Sequence, residues 1–217
     1  MTETETKLSF TEEMKGFATF NETDYDRGYR QGRETNTSIM FHLTITVHDV
    51  NAFVERPEHD TNDLQGYVEC DALGGRLPVE EGKFNLFVDG ADATRKLMLY
   101  RLLFTDKNGR KLTLSGFKDI KDDPGFDVWA DTTTLYIRLL DGHFRASQNG
   151  FEKEPDAPPE SIIGSGIINI YFFDFMKQLT TFHTEGATLS DRNEARIRFC
   201  KLFFGKLWDV YAPQIES

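Results

Sequence analysis

Polar and apolar residues alternate strictly over Phe41 to His48, with Phe41, Leu43, Ile45 and Val47 on one side and His42, Thr44, Thr46 and His48 on the other. That period of two predicts a half-buried strand. Leu97 to Thr105 reads differently. Leu97, Leu99 and Leu103 face one way and Met98, Tyr100, Leu102 and Phe104 the other, with Arg101 the only charge. A strand covered on both faces has this composition. It lines a barrel on one side and packs under another layer on the other. The Asn108-Gly109 pair after it predicts a hairpin into Lys111–Ile120.

Gly16, Gly66, Gly116 and Gly166 stand fifty residues apart, each before a large apolar residue and each opening a strand-like stretch. A glycine inside a strand marks a bend, a bulge or a close backbone approach. Repeated bends suit a curved or closed sheet. Further strands are expected over Lys83–Asp89, 132–140, 162–173 and 179–182. Residues 21–36 and 55–63 read as polar surface loops, Asp71–Gly75 as a turn, and 122–131 as a loop. A flexible loop is expected over 142–160, which holds Pro155, Pro158 and Pro159, and a disordered tail over 1–7.

The period changes near the end. Over 190–212, Ile197, Cys200, Phe204, Leu207, Trp208 and Tyr211 fall on one helical arc, widened by Phe199, Phe203 and Val210, before Pro213. This face packs on the sheet, plugs a barrel end or docks a partner. The whole of 1–217 is therefore expected to be one mainly β domain. Its predicted form is an antiparallel β-barrel or strongly curved β-sandwich of roughly ten strands with one C-terminal α-helix. A propeller fits the spacing less well, because each fifty-residue segment offers too few strands for a blade.

Composition narrows the function classes. Nineteen Phe, seven Tyr and two Trp favour strands and a large core. A net charge of -11 gives no footprint for nucleic acid and opposes binding to an anionic membrane. No stretch reaches the length of about 18 apolar residues that a membrane-spanning helix needs. The start lacks a signal-peptide core, so cytoplasmic residence is expected. Cys70 and Cys200 sit among apolar neighbours and read as buried free thiols.

Chemical motifs are sparse. Gly164-Ser165-Gly166 lacks a third glycine and leads into a strand, which fails the dinucleotide pattern. Gly82-Lys83 lacks the upstream glycine of a phosphate loop, and neither Ser115 nor Ser165 makes a nucleophile elbow. Of His42, His48, His59, His143 and His183, the first two share a strand face but stand about 20 Å apart, too far to hold one metal. Asp119, Asp122, Asp123, Asp127 and Asp131 surround Pro124-Gly125, which is turn chemistry before it is a calcium site. No cofactor and no metal is expected. Arg101 calls for a partner such as Glu69 or Asp119, either as a fixed ion pair or as a group orienting a ligand.

Several phrases resemble a known family. Phe10-Thr11-Glu12-Glu13-Met14-Lys15-Gly16, the run from Gly66 to Gly75, Gly82 to Phe87, Asp122 to Asp127 and Asp131 to Tyr136 look like an accessory region of long cholesterol-oxidase-like flavoproteins of the glucose–methanol–choline class. The likeness runs from about Leu8 to Tyr211, and the flavin-binding part has no counterpart here. The resemblance implies a non-catalytic accessory or regulatory module associated with sterol or lipid chemistry. Its partner would be an apolar, lipid- or sterol-like small molecule, or an oxidoreductase. From the residues, the candidate ligand-binding set is Arg101, Tyr100, Phe104, Tyr136, Phe84 and Tyr171, with Leu102 beside them. Two alternatives stay open. One is a small metal-independent enzyme using Arg101, His42 or His183 with a carboxylate. The other is a scaffold forming a homodimer through its last helix.

Overall fold

The computed structural model describes residues 6–89, 95–121, 133–145, 157–170, 183–186 and 188–215, with the backbone alone at 95, 121 and 203–215. Ten strands form one antiparallel sheet: β1 (Lys7–Phe20), β2 (Ser38–Val47), β3 (Asp60–Thr61), β4 (Asp63–Cys70), β5 (Gly75–Asp89), β6 (Arg95–Thr105), β7 (Lys111–Lys121), β8 (Thr134–Asp141), β9 (Ile162–Asn169) and β10 (His183–Glu185). Eight of them, β1-β2-β4-β5-β6-β7-β8-β9, pair in that order, and β9 returns to β1. The sheet is thus a closed barrel, with β3 added on β5 and β10 on β1. Closure removes the unpaired edges that an open sheet would expose. No helix of the described residues is long and apolar enough to cross a membrane.

Alternation puts one face of each strand inside. Leu8, Phe10 and Met14 of β1, Ile39, Phe41, Leu43 and Ile45 of β2, and Leu135, Ile137 and Leu139 of β8 join one buried cluster. On β6 the inward set is Met98, Tyr100, Leu102 and Phe104, and the outward Leu97, Leu99, Arg101 and Leu103 are buried as well. Its two-sided apolar pattern therefore reports a covered barrel wall. The β6–β7 hairpin forms where expected. Gly109 adopts φ +81, and Asp106 Oδ1 accepts from the backbone N–H groups of Asn108 and Arg110 at 2.8 and 2.9 Å.

The four spaced glycines all take inward positions but do different work. A Cβ on Gly16 would stand 2.2 Å from the Ile167 carbonyl oxygen, and one on Gly166 2.2 Å from that of Phe17. These two serve the same β1–β9 seam. Gly66 approaches the His42 carbonyl on β2, whereas Gly116 would meet only the Leu135 side chain. The fifty-residue spacing is therefore not a set of four equivalent bends.

Among the described residues three α-helices accompany the barrel, where the sequence pattern predicts one. The polar stretch 21–36 is not a loop but carries α1 (Tyr25–Glu34). Asp24 caps it by accepting from Arg27 N at 2.8 Å. Its docking uses small residues rather than an apolar stripe, which is why hydrophobic periodicity misses it. A Cβ on Gly28 would lie 2.2 Å from the Ser165 carbonyl oxygen, and one on Gly32 2.4 Å from that of Ala18. Thr19 Oγ1 donates to the Gly28 carbonyl and Ser165 Oγ to that of Asp24. The helix backbone thus lies directly on the outside of the seam. Tyr25 then packs edge-on against Phe117 and Tyr136, both at 5.6 Å.

The second unforeseen helix, α2 (Val50–Glu55), is capped by Asp49, which accepts from Asn51 and Ala52 N. The third, α3 (Leu189–Ile215), starts with a capping box. Asp191 N donates to Thr188 Oγ1, and Thr188 N donates to Asp191 Oδ2. It runs on past Pro213. Within its described side chains, Ala195 and Phe199 are buried, while Ile197, placed on the predicted arc, is 54 % exposed. Phe199 packs at a tilt between Phe10 of the barrel and Phe53 of α2, with ring centroids at 5.8 and 6.0 Å. The helix therefore plugs one barrel end. The expected strand over 179–182 and most of the loop 142–160 lie outside the described residues.

Because α1 lies against the strand backbones, Gly28→Ala should push it off the seam. We expect a loss of about 1–3 kcal/mol, read as a lower thermal midpoint, while Gln31→Ala on the exposed face leaves it unchanged.

Candidate functional site inside the barrel

Inward positions of a closed barrel are the most thoroughly dehydrated in the chain. Among the described residues two charged ones occupy them. Glu12 takes the phase of Leu8, Phe10 and Met14 on β1, and Lys118 that of Leu114, Gly116 and Ile120 on β7. Both are 2 % exposed. Lys118 Nζ donates to Glu12 Oε1 at 2.7 Å, and Tyr100 OH donates to Glu12 Oε2 at 2.7 Å. The ammonium also stands 5.4 Å from the Tyr100 ring centroid.

The strand order explains why these three meet. β6 lies four strands from β1 in either direction round the barrel. Glu12 therefore reaches across the interior to the opposite wall. There Tyr100 pairs in register with Gly116, and Lys118 follows two residues on, facing the same way. The surroundings are aromatic. Phe41 stacks on Tyr100 at 5.6 Å, Phe84 approaches it at 5.0 Å, and Phe10 meets Phe84 edge-on at 6.1 Å.

Burial, aided by the Glu12 carboxylate beside it, holds the Tyr100 phenol well above its ordinary pKa. Tyr100 thus stays a donor. Both Glu12 oxygens have a donor, but the ammonium has three N–H groups. Among the described residues only one of them meets an acceptor, Glu12 Oε1. The arrangement leaves hydrogen-bonding capacity for an oxygen placed beside Lys118.

The residues singled out from the sequence divide between the two faces. Tyr100, Phe84, Phe104 and Leu102 are inside. Tyr136 is outside, stacked on Phe117 at 5.3 Å. Arg101 is also outside, buried, and donates to Ser115 Oγ at 2.5 Å. Of the partners expected for it, Glu69 pairs with Arg76. Tyr171 lies outside the described residues, as do Asp122, Asp123, Asp127 and Asp131. His42 sits on the outer surface beside Glu13 and stacks on Tyr67, and His183 is exposed on β10 near Glu185. Arg101, His42 and His183 therefore do not converge. Among the described residues no group of three or more His, Cys, Asp or Glu is placed to hold a metal. Both thiols are free, and burial raises their pKa values.

A concavity of about 610 Å³ opens outside the barrel among Val47, His48, Asp49, Arg56, Asp60, Thr61, Asn62 and Asp63. Its charges pair locally. His48 Nε2 meets Asp63 Oδ2 at 2.8 Å, and Asp60 is bracketed by Arg56 and Lys83 at 3.4 and 3.2 Å.

Comparison of the chain with protein-family models, curated proteins and solved structures finds no match.

Removing one member of the buried pair strands the other. Lys118→Met should cost about 3–5 kcal/mol, whereas the double variant Glu12→Gln, Lys118→Met should recover most of it; chemical denaturation of the three proteins checks both. For Tyr100, the folded pKa lies above the ordinary value of 10.0. The stability it contributes is whole below that value and is lost as pH rises through the folded pKa. We expect one tyrosine in an ultraviolet titration to ionise only with unfolding, and Tyr100→Phe to remove that late step.

Proposed function

We propose that the chain is a non-catalytic binding module whose barrel takes an apolar, lipid- or sterol-like small molecule. The polar end of that molecule sits at Glu12, Lys118 and Tyr100. The observation that carries this reading is the buried ammonium of Lys118, which among the described residues meets one acceptor for its three N–H groups inside an aromatic interior. A buried ion pair is weak support for stability, since well-packed apolar residues serve as well or better. Its presence here is better explained by a polar guest. An accessory role beside an oxidoreductase, which the sequence resemblance implies, extends the same proposal: a module that holds or delivers the small molecule rather than converting it.

Native mass spectrometry of freshly purified protein, followed by organic extraction, tests this directly. A co-purifying lipid or sterol-like mass, lost in the double variant Glu12→Gln, Lys118→Met, is the expected result. A clean mass for the purified chain, with no uptake of added apolar compounds, would overturn the reading and leave the triad as part of a solid core.

A further inference from the structure

We propose that the outward side of α3 docks on an anionic lipid surface, with Leu189 and Ile197 entering the acyl boundary and Arg196 and Lys201 meeting the headgroups. The proposal stands apart from the binding reading above and needs no guest in the barrel.

α3 buries one side. Ala195 and Phe199 are enclosed there, and the helix packs on α2 and β10. On the side away from them, Asn193, Ile197 and Lys201 follow one another at steps of four and are exposed. Among the described residues the exposed large hydrophobics are Leu189 and Ile197, at 71 % and 54 %, and both belong to this helix. Eight positions on one helix set them about 12 Å apart on the same side. The helix runs on to Ile215, and the sequence sets Phe204, Leu207, Trp208 and Tyr211 on the arc of Ile197. Tryptophan and tyrosine favour the boundary between lipid and water.

Charge decides which partner fits. α3 carries five basic and three acidic residues in a chain of net charge -11. Arg198 is turned to α2, where it donates to Asn51 Oδ1 at 2.7 Å. Arg196 and Lys201 are exposed on either side of Ile197 and pair with no carboxylate among the described residues. Glu194 is the exposed acid of the same turns. The charge of the whole chain opposes an anionic surface, but salt screens it beyond about 8 Å, so the groups at the contact decide. Apolar residues flanked by cations on one helix side match a headgroup and acyl boundary. A second copy fits less well, because a two-fold contact sets the same cations against each other between two chains of net charge -11.

The test mixes the full chain with vesicles of phosphatidylcholine alone or with about 30 % phosphatidylserine and sediments them. We expect the chain to pellet with the anionic vesicles only. The double variant Arg196→Glu, Lys201→Glu should weaken this by about tenfold or more, since each cation lost and reversed acts at the surface. Ile197→Ser should weaken it as well. The double variant Arg30→Glu, Arg33→Glu, on the exposed side of α1, changes the net charge equally and should keep most of the binding. All five substituted positions are exposed, and circular dichroism checks that each variant folds. Absence of pelleting, equal pelleting with neutral vesicles, or an equal loss in both double variants overturns the proposal. So does a dimer in sedimentation velocity that Ile197→Ser dissolves, which assigns the face to a second copy. None of these outcomes depends on a guest in the barrel, so the binding reading stands or falls by its own experiment.

Discussion

β1 and β9 close the barrel by running backbone against backbone, with Gly16 facing the Ile167 carbonyl and Gly166 facing that of Phe17. No side chain fits in either gap. The seam joins the two ends of the sheet, so every other pairing depends on it for a fixed diameter. It is also where α1 lands. Gly28 and Gly32 bring the helix backbone onto Ser165 and Ala18, and the helix in turn covers the point of closest strand approach. Four glycines from three elements thus make one packed junction, where larger residues would force the strands apart.

A closed barrel fixes which side chains can meet. Across a sheet left open at the β1–β9 seam, Glu12 would lie far from Tyr100 and Lys118, with β2, β4 and β5 between β1 and β6 and a further strand before β7. Closure turns that separation into a diameter. The bridge across it then has a structural consequence of its own, since two hydrogen bonds of 2.7 Å hold opposite walls at a set distance. The aromatic column from Phe199 through Phe10 and Phe84 to Tyr100 fills the interior toward the end that α3 plugs. Polar bridge and apolar column share Tyr100, whose ring belongs to one and whose hydroxyl belongs to the other.

Much of the architecture was legible in the residue pattern, and the exceptions have physical causes. Alternation in Phe41–His48, the two-sided apolar run at Leu97–Thr105 and the Asn108-Gly109 turn each act locally, and each forms as expected. α1 escapes because its buried face is glycine, which carries no hydrophobic signal; the Asp24 cap and the Gly28–Gly32 spacing were the traces available. Arg101 drew attention as a charge in an apolar strand. With both faces of β6 apolar, however, pattern alone cannot tell the lumen side from the outer side, and Arg101 is on the outer. The same signal was present at Glu12 and Lys118, each a charge on the apolar phase of an alternating strand. What the sequence could not supply was their proximity across 106 positions, which arises only once the sheet closes.

The identity of these three groups sets what the interior tolerates. One carboxylate, one ammonium and one phenol sum to zero charge while the phenol remains protonated, and burial keeps it so. The interior is therefore neutral but strongly dipolar, with the negative end on β1 and the positive end on β7. Burying such a pair costs desolvation that the attraction between its ends offsets only in part. The cost is carried by a fold whose remaining inward positions are apolar at the described strands, and whose seam does not rely on charge at all.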